Sequence, residues 1–132
     1  MAKYVLSLCV LLLVGCATFQ GWSQLRSLES TLDTYRKAIC WGDYQVVKSL
    51  IKKQGTDPQN PNLKKLEKIK VTSYQVVESN TSEDKLRAHQ TVEIKYFNTD
   101  HLIVKALIDK ELWEYDTEQE AWYLQTALPD FK

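Results

Sequence analysis

Apolar and polar positions alternate with the period of an α-helix in the first third of the chain. Beginning near Gln24, apolar side chains recur every three or four residues, and charged side chains lie between them. The apolar positions are Leu25, Leu28, Leu32, Tyr35 and Ile39. This pattern predicts an amphipathic helix that ends near Trp41.

A glycine and an aspartate separate this helix from a second one. Gly42 suits the left-handed conformation that commonly ends a helix, and Asp43 is a favoured N-cap residue. The apolar positions of the second helix are Val46, Val47, Leu50 and Ile51. We expect Gly55 to end this helix, residues 55–62 to form a loop and residues 63–67 to form one helical turn.

From Ile69 onward the period falls to two, and β-branched and aromatic residues become frequent. Four strands are predicted, at residues 68–79, 85–97, 102–115 and 121–128. The connections between them are too short for crossovers, so neighbouring strands should be antiparallel. The sequence therefore predicts an α+β domain in which two N-terminal helices pack on a four-stranded antiparallel meander sheet with a cone-like shape.

The alternation also predicts which side chains face the helices. The inward sets are Leu86, Ala88, Val92, Ile94 and Tyr96 in the second strand, Leu102, Val104, Ala106, Ile108 and Leu112 in the third, and Trp122, Leu124 and Leu128 in the fourth. These sets align when Tyr96 lies opposite Val104. The same register places Asp109, Glu111 and Trp113 on the outer face of the sheet.

The N-terminus has the order of features found in an export signal. Lys3 precedes an uncharged, mostly apolar run of 11 residues, Tyr4 to Val14. A membrane-spanning helix needs about 20 residues, whereas this shorter run suits the apolar region of a signal peptide. The run ends in Leu13-Val14-Gly15-Cys16, which resembles the lipobox of bacterial lipoproteins.

This resemblance implies that residues 1–15 are a signal peptide and that Cys16 becomes a lipidated N-terminus. Residues 16–23 would then carry the lipid and form a tether, and residues 24–132 would form a single α+β domain. Ala17 occupies the position where, in this class, an aspartate often signals retention at the inner membrane. We therefore expect an acyl-anchored protein of the cell envelope, at the outer membrane and facing the periplasm.

Composition limits the classes of function that the protein could have. The chain has 17 Lys and Arg residues against 17 Asp and Glu residues, so it lacks the basic surface expected of a nucleic-acid-binding protein. After loss of Cys9 and lipidation of Cys16, only Cys40 would remain, and no disulfide could form within the mature chain. The two histidines, His89 and His101, do not make a metal site. We assign no catalytic residue, metal or cofactor, and the sequence does not favour an enzyme.

The order of helix, Gly-Asp corner, helix and meander resembles the nuclear transport factor 2-like fold over residues 24–128. The stretch Ala38-Ile39-Cys40-Trp41-Gly42-Asp43-Tyr44 carries part of this resemblance. A cystatin-like helix-on-sheet domain has nearly the same pattern. The first resemblance implies a cavity that binds or transforms small molecules, and dimerisation through the outer sheet face. The fold does not decide among these functions.

Two functions remain open. The favoured one is a lipid-anchored binding or interaction module that offers its outer sheet face to a protein partner or to a second copy. Its candidate patch consists of Arg87, Trp113, Tyr115 and Tyr123. The alternative is a small-molecule-binding cavity protein or weak enzyme. Its candidate pocket is lined by Tyr35, Tyr74, Tyr96 and Trp122. A pocket of roughly several hundred Å³ with a buried titratable group would reverse the preference.

Overall fold

A computed structural model describes the backbone of residues 2–52 and 63–132 and the side chains of residues 20–52 and 64–132. Helices and strands follow in this order: α1 (Ala2–Trp41), α2 (Tyr44–Ser49), α3 (Leu63–Glu67), β1 (Ile69–Thr81), β2 (Arg87–Asn98), β3 (Val104–Asp116) and β4 (Ala121–Leu124). The predicted α+β class is confirmed. The expected end of the second helix at Gly55 and the loop over residues 55–62 lie outside the described residues.

One face of α1 packs on the sheet, as its apolar stripe predicts. Leu28, Tyr35 and Ile39 are buried. The indole N–H of Trp122 donates a hydrogen bond to the carbonyl of Gln24, at 3.1 Å, and this bond ties the start of the stripe to β4. The backbone of α1 is also helical over residues 16–23. No helix in the described part of the chain is long and apolar enough to cross a membrane.

The corner between α1 and α2 is built by the two residues predicted for it. Gly42 has a φ of +74°, a left-handed conformation that glycine adopts without the strain of a Cβ atom. The N–H of Asp43 donates to the carbonyl of Ala38 at 2.8 Å. The Asp43 carboxylate accepts a hydrogen bond from the N–H of Val46 at 3.3 Å and so caps α2. The corner turns α2 back against the core, where Val47 is fully buried.

The sheet has the strand order β1-β2-β3-β4, with every neighbouring pair antiparallel. This confirms the predicted meander. The last strand is shorter than predicted, since β4 ends at Leu124 and pairs only with residues Trp113 to Asp116 of β3. The opposite edge of β4 is covered by the residues that follow α2, because the N–H of Leu124 donates to the carbonyl of Leu50 at 2.8 Å.

The predicted register of β3 is wrong by one residue. Tyr96 lies opposite Lys105 rather than Val104. Because side chains alternate between the two faces of a strand, this shift turns over the whole of β3. The residues now facing the helices are Leu107, Asp109, Glu111, Trp113 and Tyr115, whereas Val104, Ala106 and Ile108 are exposed.

The size of Trp113 explains the inversion. Trp113 has no exposed surface, and its ring meets that of Tyr35 edge-on with centroids 5.2 Å apart. An aromatic side chain of this kind buries about 200 Å², more than an aliphatic side chain such as Ile108 can offer. Leu107 enters the core on the same face. Burial of Trp113 and Leu107 also places Asp109 and Glu111 in the interior, because they share the same face of β3. Buried carboxyl groups require hydrogen-bond donors or a proton there.

Candidate functional site

The inverted strand places Glu111 in the interior, at 2% exposure. Three donors surround its carboxylate, one from each of three strands. The hydroxyl of Tyr74 donates to Oε1 at 2.7 Å, and the side chains of Gln90 and Trp113 donate to Oε2 at 3.2 and 3.0 Å. This set of charge-assisted bonds offsets the cost of burying the carboxylate. We call Tyr74, Gln90, Asp109, Glu111 and Trp113 the acid cluster.

Asp109 is the member of the acid cluster whose pKa lies near neutrality. It is 8% exposed, and its Oδ2 atom has no hydrogen-bond donor among the described residues. Burial, and then the negative charge of Glu111, raise the pKa of Asp109 to about 7. Burial also raises the pKa of Glu111, although its donors act in the opposite direction. Because Glu111 has three donors and the Oδ2 atom of Asp109 has none within the described chain, Asp109 is the carboxyl that takes up a proton first.

Two phenols flank this pair of carboxyls: Tyr35 is fully buried and Tyr74 is half-buried. The hydroxyl of Tyr35 has no hydrogen-bond partner among the described residues. Burial raises the pKa of both Tyr35 and Tyr74, and the neighbouring carboxyls raise these pKa values further. Both phenols therefore keep their protons, and that of Tyr74 is donated to Glu111. A cluster with one carboxyl near neutrality among fixed donors can exchange a proton with a bound molecule.

An open groove of about 650 Å³ runs between β3 and the C-terminal segment. Its lining consists of Tyr96, Lys105, Ala106, Leu107, Ile108, Asp109, Leu128, Pro129, Asp130 and Lys132. Asp109 is the member of the acid cluster that borders it. The far wall is held by Phe131, whose ring packs 4.9 Å from that of Tyr96, and by Lys105, whose ammonium donates to the carbonyl of Lys132 at 3.0 Å.

The four residues predicted to line a pocket do not line one together. Tyr35 and Trp122 fill the core, with exposures of 0% and 1%. Tyr96 borders the 650 Å³ groove, whereas Tyr74 borders a separate groove of about 230 Å³ beside α1. The interior between the helices and the sheet is therefore packed, and the space next to the acids is a groove at its margin.

The predicted aromatic patch is also divided. Trp113 lies in the core, so its assignment to the outer face was wrong. Arg87 lies opposite Glu114 and forms an ion pair with it at 3.2 Å, rather than covering Trp113. Tyr115 packs against the Trp122 ring at 5.4 Å, and Tyr123 is half-buried. These four side chains form no exposed cluster.

A different feature of β3 is exposed. Beyond the pairing with β4, the N–H of Gln125 donates to the carbonyl of Leu112 at 2.8 Å, and Thr126 accepts a bond from the N–H of Leu112. From Val104 to Lys110, no described strand pairs with this side of β3. We call this stretch the free edge.

The direction of the backbone groups along the free edge follows from its neighbours. The N–H and carbonyl of Leu112 point toward β4, whereas the N–H of Tyr115 donates to Leu86 on the β2 side. Successive residues of an antiparallel strand alternate in this respect. The outward-directed backbone groups therefore belong to the even-numbered residues Val104, Ala106, Ile108 and Lys110.

The side chains of the free edge add an apolar surface. Val104 and Ile108 are 61% and 56% exposed, and the preceding Leu102 and Ile103 are exposed as well. Unpaired backbone groups beside exposed apolar side chains form a template for another strand. The sequence prediction missed this edge because it turned Val104 and Ile108 toward the helices, and because the predicted fourth strand, at residues 121–128, would have covered the edge from Ile108 onward.

Among the residues that the structure describes, no group of three or more His, Cys, Asp or Glu side chains is arranged to hold a metal ion. No protein-family model, curated protein or solved structure matches the chain. The acid cluster and the free edge are therefore interpreted from their own geometry.

Proposed function

We propose that this protein is a lipid-anchored interaction module of the cell envelope that binds an extended polypeptide segment along the free edge. The observation that carries this proposal is the stretch from Val104 to Lys110, where outward-directed backbone groups lack a partner strand among the described residues. In strand addition, main-chain hydrogen bonds provide affinity and alternate side chains provide specificity. Here the incoming outward side chains would meet Val104 and Ile108, and the inward ones would meet the groove.

The size of the site suits a short segment. At about 3.3 Å per residue, the free edge accommodates roughly 20 Å of extended chain. Each backbone hydrogen bond contributes about 1 kcal/mol net, so apolar contacts with Val104 and Ile108 are needed for stable binding. This favours a partner segment with apolar residues at alternate positions.

The lipobox supports the membrane anchor. With cleavage before Cys16, the acylated residue would lie eight positions before Gln24, where α1 is tied to β4. If those residues keep the helical backbone of α1, this distance is about 12 Å, so the domain would stay close to the bilayer. Mass spectrometry of the native protein should find Cys16 as an acylated N-terminus. A Cys16→Ser variant should keep residues 1–15, and a wild-type chain that begins unmodified at Met1 would contradict the anchor.

A proline at Ala106 tests the free edge. The Ala106 N–H points away from β2, so proline there removes only the donor offered to an incoming strand. The matched control is Leu107→Pro, which removes an N–H from the β2 ladder and should unfold the sheet. We expect Ala106→Pro to melt cooperatively near the wild-type temperature and to lose its partner.

The partner is detected by a photo-crosslinking residue at position 108 in native membranes, with a probe at Gln75 on β1 as the control position. Adducts should form from position 108, be absent from position 75, and fall at least tenfold in Ala106→Pro. Adducts that are unchanged in this variant would contradict strand addition, as would no adducts from position 108.

A second candidate function is small-molecule binding in the groove, the role that the resemblance to the nuclear transport factor 2-like fold suggests. The groove volume of about 650 Å³ and the buried Asp109, with a pKa of about 7, favour it. These two features do not reverse the preference, because the space is an open groove at the margin of the sheet rather than an enclosed pocket. In addition, Glu111 already has three donors from within the protein, and Tyr35 and Trp122 fill the interior. Native mass spectrometry of protein released in mild detergent tests it. A bound small mass that is lost in Asp109→Asn would support this role, and its absence from wild type would exclude it.

A further inference from the structure

We infer that the free edge binds the free edge of a second copy, so that the two β3 strands pair antiparallel about a twofold axis at Leu107. This inference rests on the proposed function and names its partner. It differs from dimerisation through the outer sheet face, because the two sheets would join edge to edge and form one continuous sheet.

Backbone geometry limits the registers. Since only the even-numbered residues direct their N–H and carbonyl groups outward, hydrogen-bonded pairs must join even residues to even residues. Centring the pair on Leu107 sets Ala106 opposite Ile108 of the second copy, and Val104 opposite Lys110. Every outward-directed residue of both free edges is then used, which gives about eight interchain hydrogen bonds.

Charge selects the same register. Centred on Leu107, Lys105 of each copy lies opposite Asp109 of the other. The Lys105 ammonium would favour release of the Asp109 proton, and the opposite charges that result stabilise a strand pair at facing positions. Both side chains line the groove, so they are on the same face of β3. In this pairing, the Lys105 ammonium would exchange the Lys132 carbonyl, now 3.0 Å away, for a carboxylate.

Neighbouring registers lose these contacts. A shift of two residues in one direction sets Lys105 opposite Leu107 and Asp109 opposite Ile103, which removes both ion pairs. A shift in the other direction sets Val104 opposite Leu112, whose backbone groups are already bonded to Gln125 and Thr126. The register centred on Leu107 alone satisfies the edge length and the charges together.

The outer face provides the apolar contribution. Val104 and Ile108, exposed by 61% and 56%, would join their counterparts in one strip across the twofold axis. In a twofold pair, the free edge of each copy is occupied by that of the other. The β3 strands therefore form a closed dimer rather than an open array. This accounts for an apolar edge strand, which in an isolated protein would promote aggregation.

Cysteine cross-linking in native membranes tests the register with the full-length chain. In a Cys40→Ala background, we introduce Leu107→Cys and oxidise mildly. Facing residues at a non-hydrogen-bonded antiparallel position have Cα atoms about 4.5 Å apart, within disulfide range. The control is Lys105→Cys, whose counterpart would lie four positions away along the strand, about 13 Å. We expect at least tenfold more covalent dimer from Leu107→Cys than from Lys105→Cys.

Leu107 is half-buried, so a second pair avoids altering it. Co-expressed Lys105→Cys and Asp109→Cys chains should form a mixed dimer, and each chain alone should not. Ala106→Pro should abolish both cross-links. Equal dimer from positions 105 and 107 would show random collision and overturn the inference.

The two proposals fail differently. Adducts from position 108 to other proteins, without the position 107 cross-link, would overturn the twofold dimer and keep strand addition. Absence of both signals from folded chains that keep Ala106 would overturn both proposals.

Discussion

Substitution of Asp109 by asparagine isolates the consequence of burying two carboxyls side by side. The amide of asparagine has nearly the same shape as the protonated carboxyl and can donate to Glu111 at every pH. It therefore preserves the hydrogen bond within the acid cluster and removes only the titration. Asp130→Asn is a matched control, because Asp130 lines the same groove with an exposed side chain.

The expected magnitude follows from the pKa of Asp109, which rises from 3.8 to about 7 on folding. Between these values the folded protein holds a proton that the unfolded chain has released. The free energy of unfolding therefore falls as pH rises from about 4 to 7, and it is level above that range. A shift of about three pH units corresponds to about 4 kcal/mol. Only the two pH units between pH 5 and pH 7 fall within the measured range, and solvent at the open groove screens part of the penalty, so we expect a loss of about 2 kcal/mol between pH 5 and pH 8.

Urea denaturation followed by tryptophan fluorescence at pH 5 and pH 8 measures this loss, since Trp113 and Trp122 are both buried. Wild type and Asp130→Asn should lose about 2 kcal/mol between the two pH values. Asp109→Asn should lose almost nothing and be the most stable of the three at pH 8. The reasoning would be refuted if Asp109→Asn kept the wild-type pH dependence, or if the wild type became more stable as pH rose.

Three further substitutions test the assigned environments. Trp113→Ala should lower the free energy of unfolding by about 4 kcal/mol, and Tyr123→Ala by about 1 kcal/mol, because of these two residues only Trp113 is fully buried. If urea denaturation showed losses of similar size for the two variants, the inverted β3 register would be contradicted. Gly42→Ala should cost about 1 kcal/mol because of its φ of +74°, and an unchanged melting temperature would contradict the left-handed corner. Asp43→Ala should cost about 1 kcal/mol through loss of the α2 cap, and Asp43→Asn should restore most of it in thermal melts.

The helices could be predicted because their information is local. Five apolar residues at helical spacing define the buried face of α1, and Gly42 and Asp43 carry the chemistry of the corner in their own side chains and backbone preferences. Strand order followed from connections too short for any alternative. These features depend on residues close together in the sequence, so no knowledge of distant contacts was needed.

The face of β3 could not be predicted by the same reasoning, because both of its faces carry apolar residues. Val104 and Ile108 favour one face by number, whereas Trp113 favours the other by size. Two acids on the second face made it look unsuitable for burial. Their donors, Tyr74 and Gln90, lie 37 and 21 positions from Glu111, so the compensating hydrogen bonds are invisible in the sequence.

The inversion of β3 also changed which residues form the candidate interaction surface. The predicted patch depended on an exposed Trp113, and the inversion buries this residue while exposing Val104 and Ile108. The early end of β4 at Leu124 then extended the part of β3 that has no partner strand among the described residues from Ile108 to Lys110. All four strands were located in the sequence, but β4 was predicted four residues too long. Both changes depend on tertiary packing that selects among faces and lengths.

Residue-resolved amide hydrogen exchange tests the free edge most directly. In dilute protein, the amides of Leu107 and Asp109 should exchange slowly because they bond to β2, and those of Ala106 and Ile108 should exchange rapidly. At high protein density on a membrane, Ala106 and Ile108 should become protected while Leu107 and Asp109 stay unchanged. Slow exchange at Ala106 and Ile108 in the dilute protein would show that the edge is already paired and would contradict the account.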